Sequence, residues 1–483
     1  MDSNATLPAE CELAIVGAGA AGMAAAALAA SLGVDTVLVD EQEAPGGAMY
    51  RGLTRATASR ISDADYTRGI ELIDAIDTAK LRFAGATRVC GISRASDGFE
   101  LCVASRGHAQ IMRARAVVLA TGAMERVLPI PGAALAGVTY AGAMLCALKL
   151  GAGAPAGRVV LAGCGPLLYV AAKALRAAGA EVVALLDTLS VRHFMRALPQ
   201  ALAFMRSPYY ASGAKLLREV NDNVPIYHDV EEFAALGNDK LASVRFRAGN
   251  RAVTLIADAL VVHHGVVPDV QLADMLGCAL SWDDRVAAWV ARVDVWGMSS
   301  IAGAFVAGDG GGVAGARAAE HRGRIAALGA ASSLGHIDVG ARDAAAEPHR
   351  HALSVAMRGR RFIDRVYLAP PRFRVPDGDT IVCGCENVSA RQVIELARQG
   401  CAGPNQMKAY LRCGMGACQG RDCGLIVTEL IAREQRVHPG RVGRFHARFP
   451  ARPMSLAELA SLPSTEADRA AVARMPGADA SST

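Results

Sequence analysis

The chain has no block of like charge, no export signal and no apolar run long enough to cross a bilayer, and each absence removes a class of function. Its 51 basic and 46 acidic side chains are interspersed, leaving a net charge of +5 over 483 residues. That is no electrostatic footprint for nucleic acid. The opening MDSNATLPAECELAIVG lacks a basic segment followed by an apolar one, so no secretory signal is read there. The longest apolar stretch, VVLAGCGPLLYVAAKALRAAGAEVVALLD, is interrupted by Lys173, Arg176 and Glu181, which argues against a membrane span. Without an export signal, the 12 cysteines are expected in a reducing compartment where disulfides are disfavoured. Close cysteine pairs are also missing before Cys383, so thiol–disulfide exchange is not expected. Cys11, Cys90, Cys102, Cys146, Cys164 and Cys278 read as small apolar core residues. With 52% hydrophobic residues the chain can bury a large core, and its length suggests two to four structural units.

What the chain does contain begins with ELAIVGAGAAGMAAAALAASLGVDTVLVDE. This reads as an apolar strand, a glycine-rich turn, an apolar helix, a stop at Gly33 and a second strand ending in acids. Gly17 permits the tight turn, Gly19 lets a pyrophosphate approach the backbone, and Gly22 lets the helix pack closely on the strand. Asp40 is placed to accept hydrogen bonds from an adenosine ribose, and Glu41 is the neighbour able to do so instead. Glycine-rich turns also arise for structural reasons alone, but here strand, helix and terminal acid are in register for a nucleotide. In PGGAMYRG, Gly46 and Gly47 allow backbone to lie against a bulky cofactor. Arg51 either meets a pyrophosphate or flavin edge or is a solvated surface arginine.

Together with VVLATGAMERVLPIPG and GAFVAGDGGGVAGARAAEHRGRIAA, this segment resembles the two-dinucleotide-domain flavoproteins that include glutathione and thioredoxin reductases. The resemblance implies an α/β fold with FAD beside the turn at Ala120, Thr121 and Gly122. It also implies that Gly308 and Asp309 meet the ribityl and phosphate portion. Asp309 is equally able to cap a helix. A second strand, glycine turn, helix and strand runs from Arg158 to Asp187, but Leu168 replaces its third glycine. Whether NAD(P) binds there is left open, a vestigial unit kept for packing or docking being the equal alternative. His263 and His264 are consecutive on a strand and so point to opposite faces, either with one of them toward the flavin or both as core or surface histidines, the latter being favoured.

Six cysteines fall between Cys383 and Cys423, in CGCENVSARQVIELARQGCAGPNQMKAYLRCGMGACQGRDC. Clustering of this kind indicates metal chemistry. Ser389 with Gln392 forms a capping box, Gly400 marks a stop, and further helices are predicted near Asn405–Arg412 and after Cys423. Zinc sites favour two C-x₂₋₄-C knuckles, for which C-x-C is an unusual half. The pattern resembles the [2Fe–2S] domain of bacterioferritin-associated ferredoxin, a cluster held by four thiolates. That resemblance aligns Gly414 and Gly416 and implies Cys383, Cys385, Cys418 and Cys423 as ligands. The gap between the last two is four residues here, against two in the ferredoxin, so Cys413 stays available as a substitute; Cys401 reads as structural.

In this order, and with the tail GRVGRFHARFPARPMSLAELASL, the chain resembles the A or alpha subunits of opine oxidases and dye-linked proline or hydroxyproline dehydrogenases. It is similar also to the B subunit of hydrogen cyanide synthase. The organisation expected is an FAD-binding part at 1–152, a degenerate nucleotide-binding domain at 153–285 and an FAD-domain return segment at 286–335. A linker at 336–378, a helical [2Fe–2S] domain at 379–436 and a tail at 437–483 follow, with PSTEADRAAVARMPGADASST as a polar, mobile end. The resemblance implies an electron relay that serves an amine-oxidase-like FAD partner subunit, with room for a small third subunit. The partner oxidises a C–N bond, and the relay passes electrons to a quinone or cytochrome-type acceptor. The expected location is cytoplasmic, including peripheral attachment at the inner membrane. Rival expectations are a self-contained NAD(P)H-dependent reductase and a nucleotide-bound scaffold.

Overall fold

A computed structural model describes residues 7–53, 64–79 and 81–464; the expected mobile end falls almost wholly outside them. In the first part, β1 (Glu10–Val16), α1 (Ala20–Ser31), β2 (Thr36–Val39), α2 (Ala64–Thr78) and β3 (Arg82–Ala84) are followed by β4 (Arg88–Ala95), β5 (Gly98–Ser105) and β6 (His108–Leu119). They form a sheet in the order β3-β2-β1-β6-β5-β4, parallel through β3, β2, β1 and β6. Short β7 (Ala123–Glu125), β8 (Val138–Tyr140) and α3 (Ala141–Lys149) lead out of it.

The second part holds β9 (Arg158–Cys164), α4 (Pro166–Ala177), β10 (Glu181–Asp187), α5 (Val191–Ala197), α6 (Ala201–Met205), α7 (Tyr209–Asn221) and β11 (Ile226–Tyr227). An antiparallel layer, β12 (Val230–Gly237), β13 (Leu241–Ala248) and β14 (Arg251–Ile256), precedes β15 (Ala259–His264). The parallel order is β11-β10-β9-β15-β8. Its central strands are covered on both faces, by helices on one side and the antiparallel layer on the other. Hence VVLAGC is apolar without alternation.

The chain then returns through β16 (Val266–Pro268), α8 (Gln271–Leu276), β17 (Leu280–Asp283), β18 (Ala288–Ala291) and β19 (Ala304–Val306). Strand β19 pairs with the C-terminal half of β6, so the loops after β2, β1, β6 and β19 lie side by side at one edge. Helix α9 (Ala316–Leu334) packs on α1. Sandwiched between α9 and the sheet, α1 is apolar around most of its circumference instead of along one stripe.

The stretch expected as a linker carries α10 (Val339–Ala356), α11 (Arg360–Val366) and α12 (Pro371–Arg374). The C-terminal region is helical: β20 (Ile381–Cys383) and β21 (Val388–Ser389) precede α13 (Ala390–Arg398), α14 (Pro404–Leu411), α15 (Gly424–Gln435), α16 (Pro439–Val442) and α17 (Leu456–Ala460). The capping box of Ser389 and Gln392 starts α13. Residues from Arg444 on run back over the first part: Ala451 N–H donates to Cys90 O (2.6 Å), and Arg88 pairs with Glu458 at 2.6 Å. Among the described residues no helix is long and apolar enough to cross a membrane.

Candidate functional site

At the loop edge of the first sheet lies a cleft of about 470 Å³, a size suited to a small-molecule ligand. Gly17, Gly19, Asp40, Glu41, Gly46, Gly47, Arg51, Thr121, Gly122, Gly308 and Asp309 all line it. Gly22 lies beneath, where a Cβ would stand 1.7 Å from the Gly17 carbonyl oxygen, so no other residue fits. Two loops meet edge on, since a Cβ on Gly47 would come within 2.8 Å of Gly19 Cα.

The acids at the cleft are partly engaged. Asp40 is buried, and its carboxylate accepts from Ala18 N–H (2.5 Å) and Gln42 N–H (2.8 Å), while burial pushes its pKa up. Asp40 therefore braces the glycine turn, and the more exposed Glu41 stands beside it, 3.8 Å from Arg452. Asp309 Oδ1 accepts from Ala314 and Gly315 N–H at 2.8 and 3.1 Å, which closes the turn leading into α9. Thr121 donates to Asp269 O (2.7 Å), and Arg51 donates to Gly47 O (3.3 Å).

Sequence reasoning missed several lining groups. Lys149 donates to Ala48 O and Met49 O at 3.1 and 2.7 Å, which pins the Gly46–Gly47 loop. Cys146, expected in the core, is instead half-buried at the cleft wall. Arg452 donates to Gln271 Oε1 (2.7 Å) and Asp269 Oδ2 (2.9 Å). Its only sequence signal was membership of the C-terminal ARFPARPM stretch, which carries no chemistry by itself.

The second glycine turn has different surroundings. Gly163 and Gly165 abut His263: a Cβ on Gly165 would lie 3.0 Å from the imidazole. Cys164, Leu189 and Ala197 share a buried cluster with Val366 and Ala369, against which Phe362 and Tyr367 pack. Asp187 already accepts from Tyr169 Oη (3.0 Å) and Leu189 N–H (2.9 Å). Arg372, from α12, donates to Thr188 O at 3.2 Å. Both histidines are buried; His263 Nδ1 meets Glu125 at 2.6 Å and His264 Nε2 meets Thr188 at 2.9 Å.

The cysteines gather between β20 and the start of α15. The sulfurs of Cys383, Cys413 and Cys423 lie within 4.8 Å of one another, all buried. Cys418 adjoins Cys423 and also the exposed Cys385. Hydrogen bonds from Cys413 and Cys423 drive the Cys383 thiol down to about 2, and Cys423 draws Cys418 down to about 6. Cys413 and Cys423 are correspondingly pushed up. The low value of Cys383 thus comes from its neighbours' thiol donors, Cys385 also being pushed up, and it is the close gathering of sulfurs that suits a thiolate-ligated metal group. Gly416 is needed because a Cβ there would stand 2.2 Å from Cys385 Cβ. Cys401 is buried away from this group and donates to Gly403 O.

The thiol loop and the cleft are joined. Arg421, in the four-residue gap between Cys418 and Cys423, donates to Gln271 Oε1 at 3.0 Å, the atom that Arg452 also binds. Nearby, Glu429 of α15 pairs with the partly buried Arg374 and lies 3.9 Å from Arg126, Glu429 and Arg126 both being buried. Arg126 also donates to Ala287 O (2.9 Å), and burial lowers both arginines to about 10.

Residues 11–323 match the pyridine nucleotide-disulphide oxidoreductase family and residues 378–462 match the sarcosine oxidase A3 domain. The A subunit of opine oxidase from Rhizobium meliloti is 39% identical over 462 residues, covering 94% of this chain and 88% of that one. The hydrogen cyanide synthase subunit HcnB of Pseudomonas aeruginosa is 32% identical, covering 93% and 98%. The crystal structure of L-proline dehydrogenase from P. horikoshii superposes with a TM-score of 0.68 at 19% identity, over 93% of this chain and 79% of that one, a likeness of fold. The chain therefore belongs to the pyridine nucleotide-disulphide oxidoreductase family and, within it, to the group formed by HcnB and the A subunits of opine oxidases.

Proposed function

We propose that the chain is the electron-transfer subunit of a heteromeric amino or imino acid dehydrogenase of opine or hydroxyproline type, acting on CH–NH or CH–NH₂ donors. FAD would occupy the cleft, held by Gly17, Gly19, Gly46, Gly47, Thr121, Gly122, Gly308 and Asp309, with Glu41 taking the ribose role beside Asp40. A [2Fe–2S] cluster would be held by Cys383, Cys385, Cys418 and Cys423, with Cys413 competing for one place. The residues present suit both groups: Gly122 and Gly315 have nothing within 4 Å where a Cβ would be, leaving the cleft floor open, and the second site is a pure thiol set. When bound, a flavin takes two electrons at once and an iron–sulfur cluster passes them singly.

The observation that carries this reading is the bridge from Arg421 through Gln271 to Arg452, which fixes the thiol loop against the cleft. In this reading Glu41 and Arg452 flank one stretch of the cleft, while Lys149 and Arg51 hold its glycine loop in place. Relatives named as subunits support the presence of a partner subunit, which this reading takes to be amine-oxidase-like. A quinone or cytochrome-type acceptor and a cytoplasmic location complete the proposal; free thiols throughout the described residues suit a reducing compartment. A self-contained NAD(P)H reductase is the weaker reading, because Val366, Tyr367 and Ala369 pack over the second glycine turn.

The test is spectroscopic. The isolated chain should show flavin and iron–sulfur absorption and should not be bleached by NADH or NADPH, whereas amino acid substrate should bleach it only when the partner subunit is present. Cys418→Ser should remove the cluster spectrum and leave flavin bound. Bleaching by NADPH alone, or a chain with no reducible flavin, would overturn the reading.

A further inference from the structure

Helices α5 and α6, joined by a 3₁₀ turn at Leu198–Gln200, form one helical run of about four turns from Val191 to Met205. Its inner side is fully committed. Ala197 is buried and Phe204 stacks on Phe362 at 4.5 Å. Its outer side is also apolar. Val191, Phe194, Met195, Leu198, Leu202 and Met205 are each between 46% and 72% exposed. At helical spacing these six fall within an arc of about 100°, the width of a stripe that normally faces a core.

Charge decides what this stripe fits. No acid occurs between Asp187 and Glu219, while Arg192, Arg196, Arg206, Lys215 and Arg218 all do. On the helical wheel, Arg192, Arg196 and Arg206 line one flank of the stripe; all three are exposed, and none is ion-paired among the described residues. The exposed side chains form a ridge with the arginines beside it. An in-plane amphipathic helix at a lipid surface has this arrangement: apolar side chains at the acyl boundary and cations against anionic headgroups. We infer that the Val191–Met205 ridge docks the protein on an anionic bilayer surface.

The inference stands on this surface alone and does not depend on the proposed reaction. It also differs from a spanning segment, since the run is far too short to cross a bilayer. Its occupant is lipid because a deformable interface accommodates a protruding ridge and because the acid-free flank matches a negatively charged sheet.

The test uses the full chain with its flavin, sedimented with vesicles of phosphatidylcholine alone or containing phosphatidylglycerol as about one third of the lipid. It should sediment with the anionic vesicles, much less with neutral ones, and be released by high salt. Neutralising two charges in Arg192→Gln with Arg196→Gln should weaken partitioning roughly 30-fold. Leu198→Ser with Leu202→Ser should abolish it without changing flavin absorption. Should the paired serine variant fail to fold, Leu202→Trp supplies the second measurement: its emission should shift to the blue on adding anionic vesicles. No sedimentation with anionic vesicles, or no shift, overturns the inference. So does vesicle binding that survives the serine pair while co-purification of a partner protein is lost, an outcome that assigns the ridge to a protein interface.

Discussion

The glycine turn after β1 and the one after β9 are built alike, yet the first borders an open cleft and the second is covered by the chain's own later helices. Opposite the first turn stand other loops of the same sheet, which touch it at Gly47 and Ala120 and leave the cleft between them. Opposite the second stand Val366, Tyr367 and Ala369, with Arg372 bonded across the lip. The two also differ at the third glycine position. Gly22 is forced by contact with Gly17, whereas Leu168 is fully buried in the core between α4 and its sheet. A glycine turn thus records how closely backbone approaches backbone, and the element that comes to rest opposite decides whether a ligand has room.

The largest effect expected from breaking this contrast is at Gly22. Gly22→Val drives a branched side chain into the Gly17 carbonyl and should cost more than about 4 kcal/mol. The readout is soluble yield and bound flavin, both of which should collapse. The mirror change, Leu168→Gly, restores the motif but empties a packed site and weakens a helix. It should lower stability by about 3–5 kcal/mol in denaturant unfolding and yield no NADH or NADPH binding. Tight nicotinamide binding by that variant would erase the contrast.

The smallest effect concerns His264, beside the covered turn. It is buried and its pKa lies well below the usual value, with burial the main cause. The unfolded chain takes up this proton at about 6.5 and the folded chain does not, so the stability present above that pH is lost as pH falls below it. The slope should reach about 1.4 kcal/mol per pH unit. His264→Gln, which can still reach Thr188, should flatten the acid limb of the unfolding profile by that amount.

Local pattern made much of this architecture legible. The strand, turn and helix sequence around Gly17 and Gly163, the capping box at Ser389 and the cysteine spacing all report contacts between near neighbours in the chain. Long-range outcomes were not legible. Nothing in VRHFMRALPQALAFM says which of two apolar faces will be packed, and the segment read as a linker gave no sign that α11 would roof a turn some two hundred residues earlier. Asp40 was placed at the cleft, but its carboxylate is partly consumed by Ala18 and Gln42, because backbone N–H groups of a tight turn compete for the same lone pairs. Among the thiols, the resemblance to the ferredoxin implied Cys418 with Cys423 and left Cys413 as a substitute, and folding brings Cys413 against Cys383 and Cys423.

The buried arrangement of Glu429 with Arg374 and Arg126 has a mechanical consequence. Removing Glu429 strands both arginines without their counter-charge, a loss that typically costs about 3–5 kcal/mol. The thiol-bearing region is therefore clamped to the main body at two points, there and at Arg421, and cannot swing on a tether like a mobile carrier. Traffic between the two sites would cross a gap of constant width, so its speed would depend on that width and not on linker length, viscosity or crowding.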